Sequence, residues 1–321
     1  MTRAPQASLR SLSGARPDGY QRHLLHDPGR AYVETNCYAD VIVELLHARG
    51  YEPLAAFGSL ARMDFEGDQW TFFKPPPDDL ERLFGVDIHE MQPYRPLPLQ
   101  IAEQIERGRT IIVELDSWYL PDTAATSYRA EHVKSSVAAD AIDLDGEMLR
   151  YFHGPGLFEL SGADYRGVFG LDGLPEQVLP PYTEVVRFDV GSPLEGEALR
   201  AASRELLRHH LDRRPPDNPF ETFGAQLVQV LPELLDQSLE RYHAYAFATV
   251  RMAGSAFETL ASYAGWLSPG ADTAPMGEIV DGCKALSFRL ARRREFDPGP
   301  VISTLGDAWE RCIDVLGDIA A

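Results

Sequence analysis

Residues 34–53, ETNCYADVIVELLHARGYEP, place a thiol where a polar run gives way to helical spacing. Val41, Ile42, Leu45 and Leu46 recur at intervals that predict a helix with one apolar face. Cys37 opens that helix instead of lying within its stripe. A helix start presents unpaired backbone N–H groups and the positive end of the helix dipole, a setting that favours a thiolate and can hold an oxyanion. A short cysteine there can also simply pack, so the stretch alone leaves chemistry and packing both open.

Bulk composition narrows the choice. The chain has 321 residues, enough for two domains and a sizeable core. Its formal charge of -19 argues against nucleic acid and anionic membranes as partners. No window approaches the roughly 18 apolar residues of a membrane helix. The first twenty residues lack the apolar core of a secretory signal and read as a partly disordered tail, 1–20. Cys37, Cys283 and Cys312 are too few and too scattered for a disulfide framework or a zinc cluster, and no metal is expected. A reducing cytoplasm is the expected compartment.

Two compositional halves follow. Up to about residue 192, helices and strands mix. The aromatic run in DQWTFFKPPPDDLERLFG predicts a strand and then a short helix from Asp78, and LPLQIAEQIERG predicts a helix ending at Gly108. RTIIVELDSWYL predicts a buried strand. HVKSSVAADAID and MLRYFHG predict a hairpin turning at Leu144-Asp145-Gly146. From residue 193 the periodicity is helical throughout, which predicts a bundle. Cys283 and Cys312 fall on apolar stripes of that half and are read as core, and the His209-His210 pair as solvated.

A nucleophilic thiol needs a base. His132 lies at the start of the first hairpin strand, and a cysteine on a helix start with a distant histidine on a strand is the order used by papain-like sites. One imidazole can then both activate the thiol and protonate the leaving group. For the group that orients His132, the hairpin would bring His153 to its neighbourhood. Asp140 and Asp143 are alternatives, with Asp143 better explained as a turn former.

ETNCYADVIVELLHARGYEP, FEGDQWTFFKPPPDDLERLFGV, ELDSWYLPDTAATSYRAEHVKSS and LRYFHGPG together resemble a bacterial family of unknown function encoded near amino acid:carrier protein ligases and small carrier proteins. The N-terminal half is also similar to the papain-like butirosin biosynthesis protein H family, acyltransferases that take an aminoacyl group from a carrier-protein thioester. The resemblance implies an α+β fold, with a papain-like catalytic domain over 21–192 and a helical domain over 193–321. It implies Cys37 as nucleophile, His132 as general acid and base, and Asn36 as a contributor to an oxyanion pocket. Where the acyltransferases carry an Asp after the histidine strand, this chain reads His153.

The segment ELDSWYLPDTAATSY follows a buried strand and is the candidate substrate-recognition region. Asp116 or Asp122 would pair with an aminoacyl ammonium, and Trp118, Tyr119, Thr123 and Tyr128 would form walls. Lys134 would take a carboxylate or phosphate. No bound cofactor is expected, the phosphopantetheine being carried by a partner acyl carrier protein. An amino acid:carrier protein ligase and a small-molecule acceptor complete the implied partners. Arg292, Arg293 and Arg294, with Arg213 and Arg214, are the basic candidates for docking an acidic carrier. A cysteine hydrolase using the same pair, or a non-catalytic binding partner, are the rival readings.

Overall fold

Antiparallel pairing organises the first of two compact units in the computed structural model, which describes residues 11–173 and 179–321. That unit gathers the described residues up to Leu24 with Asp40–Tyr51 and Leu80–Pro193. Along it run most of α1 (Cys37–Ala48) and α2 (Pro77–Phe84), then β1 (Asp87–Glu90), α3 (Leu97–Glu106), β2 (Thr110–Asp116), β3 (Lys134–Asp143), β4 (Met148–His153), β5 (Gly156–Ser161), α4 (Ala163–Val168) and β6 (Thr183–Arg187). The six strands form one sheet in the order β1-β6-β2-β3-β4-β5, with every described pairing antiparallel. The fold is therefore α+β.

The expected hairpin forms as β3 and β4, and Asp143 is the turn former: its Oδ1 accepts from the N–H of Asp145 and Gly146 at 3.1 and 2.9 Å. One sheet face buries Val113, Leu115, Val137, Ala139 and Tyr151 beneath Ile101 and Ile105 of α3. β1 and β6 carry no sequence signal of their own. Four and five residues interrupted by His89, Glu90, Glu184 and Arg187 show no apolar run, and their pairing with each other and with β2 makes them strands.

Two expectations change here. The tail splits: residues 1–10 lie outside the described residues, whereas 11–20 are tied down. Ser11 Oγ and the Ser13 N–H donate to the Asp140 carboxylate at 2.7 and 2.9 Å, and the Leu12 N–H donates to the Asp140 carbonyl at 3.1 Å. A β-bulge between Ala139 and Ala141 leaves Asp140 without a β4 partner and frees it for this role. Asp140 is thus an anchor for the N-terminal segment, not an orienter of His132. α1 is coupled to the same sheet through Tyr20, whose ring lies 5.7 Å from Phe152 and whose hydroxyl donates to Glu44 at 2.6 Å.

Gly85 ends α2 with φ +63°, and a Cβ there would come within 2.5 Å of the Gly191 backbone. Gly85→Ala therefore combines a left-handed conformation with backbone overlap. It is expected to cost about 2–4 kcal/mol, read from a shifted urea midpoint at unchanged slope. An unchanged midpoint would show that the loop at Gly191 yields freely.

The second unit comprises Leu25–Ala39, Glu52–Asp79 and Leu194–Ala321. It takes residues 25–39 and 52–79 from the stretch that the sequence assigns to the catalytic domain. Its helices are α5 (Gly196–Leu211), α6 (Pro219–Asp236), α7 (Leu239–Ala246), α8 (Met252–Leu267), α9 (Ala274–Ala291) and α10 (Gly299–Ala320), with a π-helical turn at Phe247–Arg251 between α7 and α8. The aromatic run expected as a strand makes only a single bridge, Phe65 to Trp70. Trp70 instead enters the bundle core, its ring 4.7 Å from Phe220 and 6.1 Å from Phe223. Burying that indole among helical aromatics outweighs its strand propensity. His210 is also corrected: it is buried, not solvated, with Nε2 2.7 Å from Asp79.

Candidate functional site

β2 ends at Asp116, β3 begins at Lys134, and these two residues are register partners. The intervening seventeen residues therefore leave and re-enter the sheet at one point. A bond from the Ser117 N–H to the Val133 carbonyl, 2.8 Å, closes the excursion. Asp116 then serves two purposes. Its Oδ1 accepts the Trp118 N–H at 3.0 Å and so caps the 3-10 turn Ser117–Tyr119, while its Oδ2 lies 2.7 Å from His132 Nδ1.

This bond fixes the imidazole. A carboxylate oxygen accepts, so Nδ1 carries the proton and the neutral ring presents the Nε2 lone pair. Trp118 holds the ring from one side, stacked at 4.6 Å with planes 9° apart. The His132 side chain is 66% exposed, so the pair adds little stability. What it provides is an oriented base.

Asp116, expected at an ammonium, thus orients His132, and His153 does not. His153 belongs to another network. Its Nδ1 lies 2.5 Å from Asp122 Oδ2 and its Nε2 lies 2.6 Å from Ser135 Oγ, and the Tyr151 hydroxyl donates to Asp122 Oδ1. Both Asp122 oxygens have internal partners and its side chain is 5% exposed, so it faces the protein interior and not a substrate ammonium. Burial, followed by the Asp122 charge, pushes the Tyr151 phenol far above its ordinary range, so it stays a donor.

The other recognition candidates also have internal partners. Thr123 Oγ1 donates to the Leu120 carbonyl at 2.9 Å, and Tyr128 donates to Asp164 at 3.0 Å. The Tyr119 ring packs against Gly167. Lys134 is ion-paired with Glu114 at 2.9 Å, so it already holds a carboxylate from its own sheet. Of these residues, Trp118 alone touches His132 through its ring. Ser135 and Tyr151 escaped the sequence reading because both look like ordinary strand residues.

Cys37 stands in the second unit, as the first residue of α1. Asn36 is the helix cap: its Oδ1 accepts the Ala39 N–H at 2.9 Å and its Nδ2 donates to the Phe73 carbonyl at 3.0 Å. That arrangement contributes about 1 kcal/mol to the helix end. It also turns the Asn36 side chain inward, 3% exposed, so any oxyanion contact from this position falls to backbone N–H groups. The approach to Asn36 is tied to α8, where Glu258 accepts the N–H groups of Ala31 and Tyr32 at 2.8 Å each.

Cys283 and Cys312 are buried, as their helical stripes predict, and burial pushes each thiol up to about 12. Cys37 is only partly buried. The native chain is expected to consume one equivalent of a bulky disulfide reagent at pH 8, and three after denaturation. The raised thiols also fix a sign for stability. The unfolded chain releases these protons near the ordinary thiol value of 9, so stability present below pH 9 is lost as the pH climbs toward 12. Three fast equivalents in the native chain would contradict the burial.

Among the described residues, no group of three or more His, Cys, Asp and Glu side chains is placed to hold a metal ion. No described helix is long and apolar enough to cross a membrane. Residues 21–188 match the DUF1839 N-terminal domain, and residues 196–318 match the DUF1839 C-terminal domain. The chain belongs to the DUF1839 family, with both of its domains represented. No curated protein matches it.

Proposed function

We propose, for this two-domain member of the DUF1839 family, a cysteine-dependent transfer of an aminoacyl group from a carrier-protein thioester. Cys37 acts as nucleophile, His132 as acid and base, and Asp116 as the group that orients His132. The observation that carries the proposal is the Asp116–His132 pair, which leaves Nε2 oriented and able to accept a proton. Supporting it are the place of Cys37 at the start of a capped helix and the antiparallel sheet beside His132, the elements a papain-like domain uses.

In the proposed reaction, the Cys37 sulfur attacks the thioester carbonyl carbon while His132 Nε2 takes the thiol proton. The carbon–sulfur bond to the phosphopantetheine arm breaks, and the departing thiolate recovers that proton. An amine or hydroxyl acceptor then attacks the acyl-cysteine, giving its proton to Nε2, and the acyl–sulfur bond breaks as the Cys37 sulfur takes that proton back. The N-terminal backbone N–H groups of α1 are the proposed oxyanion donors. The helical domain would present the carrier-protein surface, with Arg292–Arg294 the basic candidates.

One observation favours a second reading. The exposed His132 side chain would admit water, making hydrolysis the outcome when no acceptor is bound. Incubation with an aminoacylated carrier protein, with and without an added amine, separates the two by product. A chain that never acquires an acyl group would instead be a non-catalytic partner.

A further inference from the structure

Ser135 follows Lys134 in β3, so its side chain projects to the sheet face opposite Lys134 and Asp116, the face shared with Val137 and Ala139. There its Oγ meets His153 Nε2 at 2.6 Å, and His153 Nδ1 meets Asp122 Oδ2 at 2.5 Å. The direction of each bond follows from chemistry. Asp122 can only accept along both contacts, from the Tyr151 hydroxyl and from His153 Nδ1–H. In the neutral ring Nε2 is therefore the acceptor, and the Ser135 hydroxyl must donate to it.

A purely packing serine at a strand end satisfies its hydroxyl on a backbone carbonyl or on water. Here it points instead at an imidazole whose tautomer is fixed by a carboxylate with a side-chain exposure of 5%. The residue itself is only partly buried, so solvent reaches this end of the strand. We propose that Ser135, His153 and Asp122 form a second nucleophilic centre, independent of Cys37, whose substrates are small activated carboxylic or phosphonic esters.

In this centre Ser135 Oγ bonds to the acyl carbon as its proton passes to His153 Nε2. The ring returns the proton to the departing alkoxide or phenolate oxygen as the ester C–O bond breaks. Water then hydrolyses the acyl-serine by the reverse proton path. Tyr151 is a positioning residue, because its hydroxyl donates to the Asp122 oxygen that His153 does not use and so holds the carboxylate in place.

An alkyl fluorophosphonate tests the centre, since Oγ–P bond formation with loss of fluoride leaves a stable mark. The full chain carrying Cys37→Ala is the protein to use, which keeps the outcome separate from the thioester proposal. Peptide mass spectrometry is expected to place the phosphonate on Ser135, with a rate at least about 100-fold above that of the heat-denatured chain. Ser135→Ala, which removes one hydroxyl, is expected to abolish that label. No adduct on Ser135 in the native chain, or an adduct formed equally fast after denaturation, overturns the proposal.

Discussion

Mixed with an aminoacylated carrier protein and quenched in acid, the wild-type chain is expected to gain the mass of one aminoacyl group on Cys37. Cys37→Ala is expected to gain none, and its turnover to fall by about 10⁴-fold or more. The magnitude follows from the chemistry, because no other described thiol is available to substitute. Cys283 and Cys312 are buried with thiols pushed up to about 12, so almost none of either is thiolate at neutral pH. The Ala variant should fold normally, since Asn36 and not Cys37 supplies the side-chain cap of α1. Full activity in the folded Cys37→Ala variant would sink the acyl-enzyme.

Asp116→Asn is expected to lower turnover by about 10²- to 10⁴-fold while leaving the fold intact. The amide oxygen of the new side chain can keep the Trp118 N–H, preserving the 3-10 turn. Its nitrogen must then face His132 Nδ1 and donate to it. That places the ring proton on Nε2, the wrong side for a base. The substitution therefore reverses a tautomer without removing a contact, so unfolding should report almost nothing while the rate of Cys37 alkylation and the turnover both fall. His153→Asn is the comparison: it should leave the His132 tautomer untouched, because His153 reports to Asp122 and Ser135. If Asp116→Asn were silent and His153→Asn were not, the assignment of orienter would be reversed.

How much of this was legible in the sequence depends on the range over which each interaction acts. The helix opened by Cys37, the β3–β4 hairpin with its Asp143 turn, and the helical second half follow from periodicity and turn chemistry, which act over a few residues. The cores around Cys283 and Cys312 follow from apolar stripes for the same reason. The aromatic run at Trp70 defeated that logic. Its local pattern suits a strand, and only the presence of Phe220 and Phe223, 150 and 153 residues later, turns it into a plug for a helical core.

The candidate site divides along the same line. The sequence by itself determined that a thiol opens a helix and that a histidine lies close to a strand; it made His132 the first strand residue, whereas β3 begins two residues later, at Lys134. It could not determine which acid serves which histidine. Asp116 lies sixteen residues before His132 and Asp122 thirty-one before His153, and neither spacing carries a helical or strand period. The pairing of β2 with β3 decided it, by bringing Asp116 opposite Lys134 and so beside the returning end of the loop. The alternation of strand side chains then sent Ser135 and His153 to the other face, where Asp122 meets them. Hydrogen-bond partners across a sheet are set by register, and register is a property of the folded pairing, not of either strand alone.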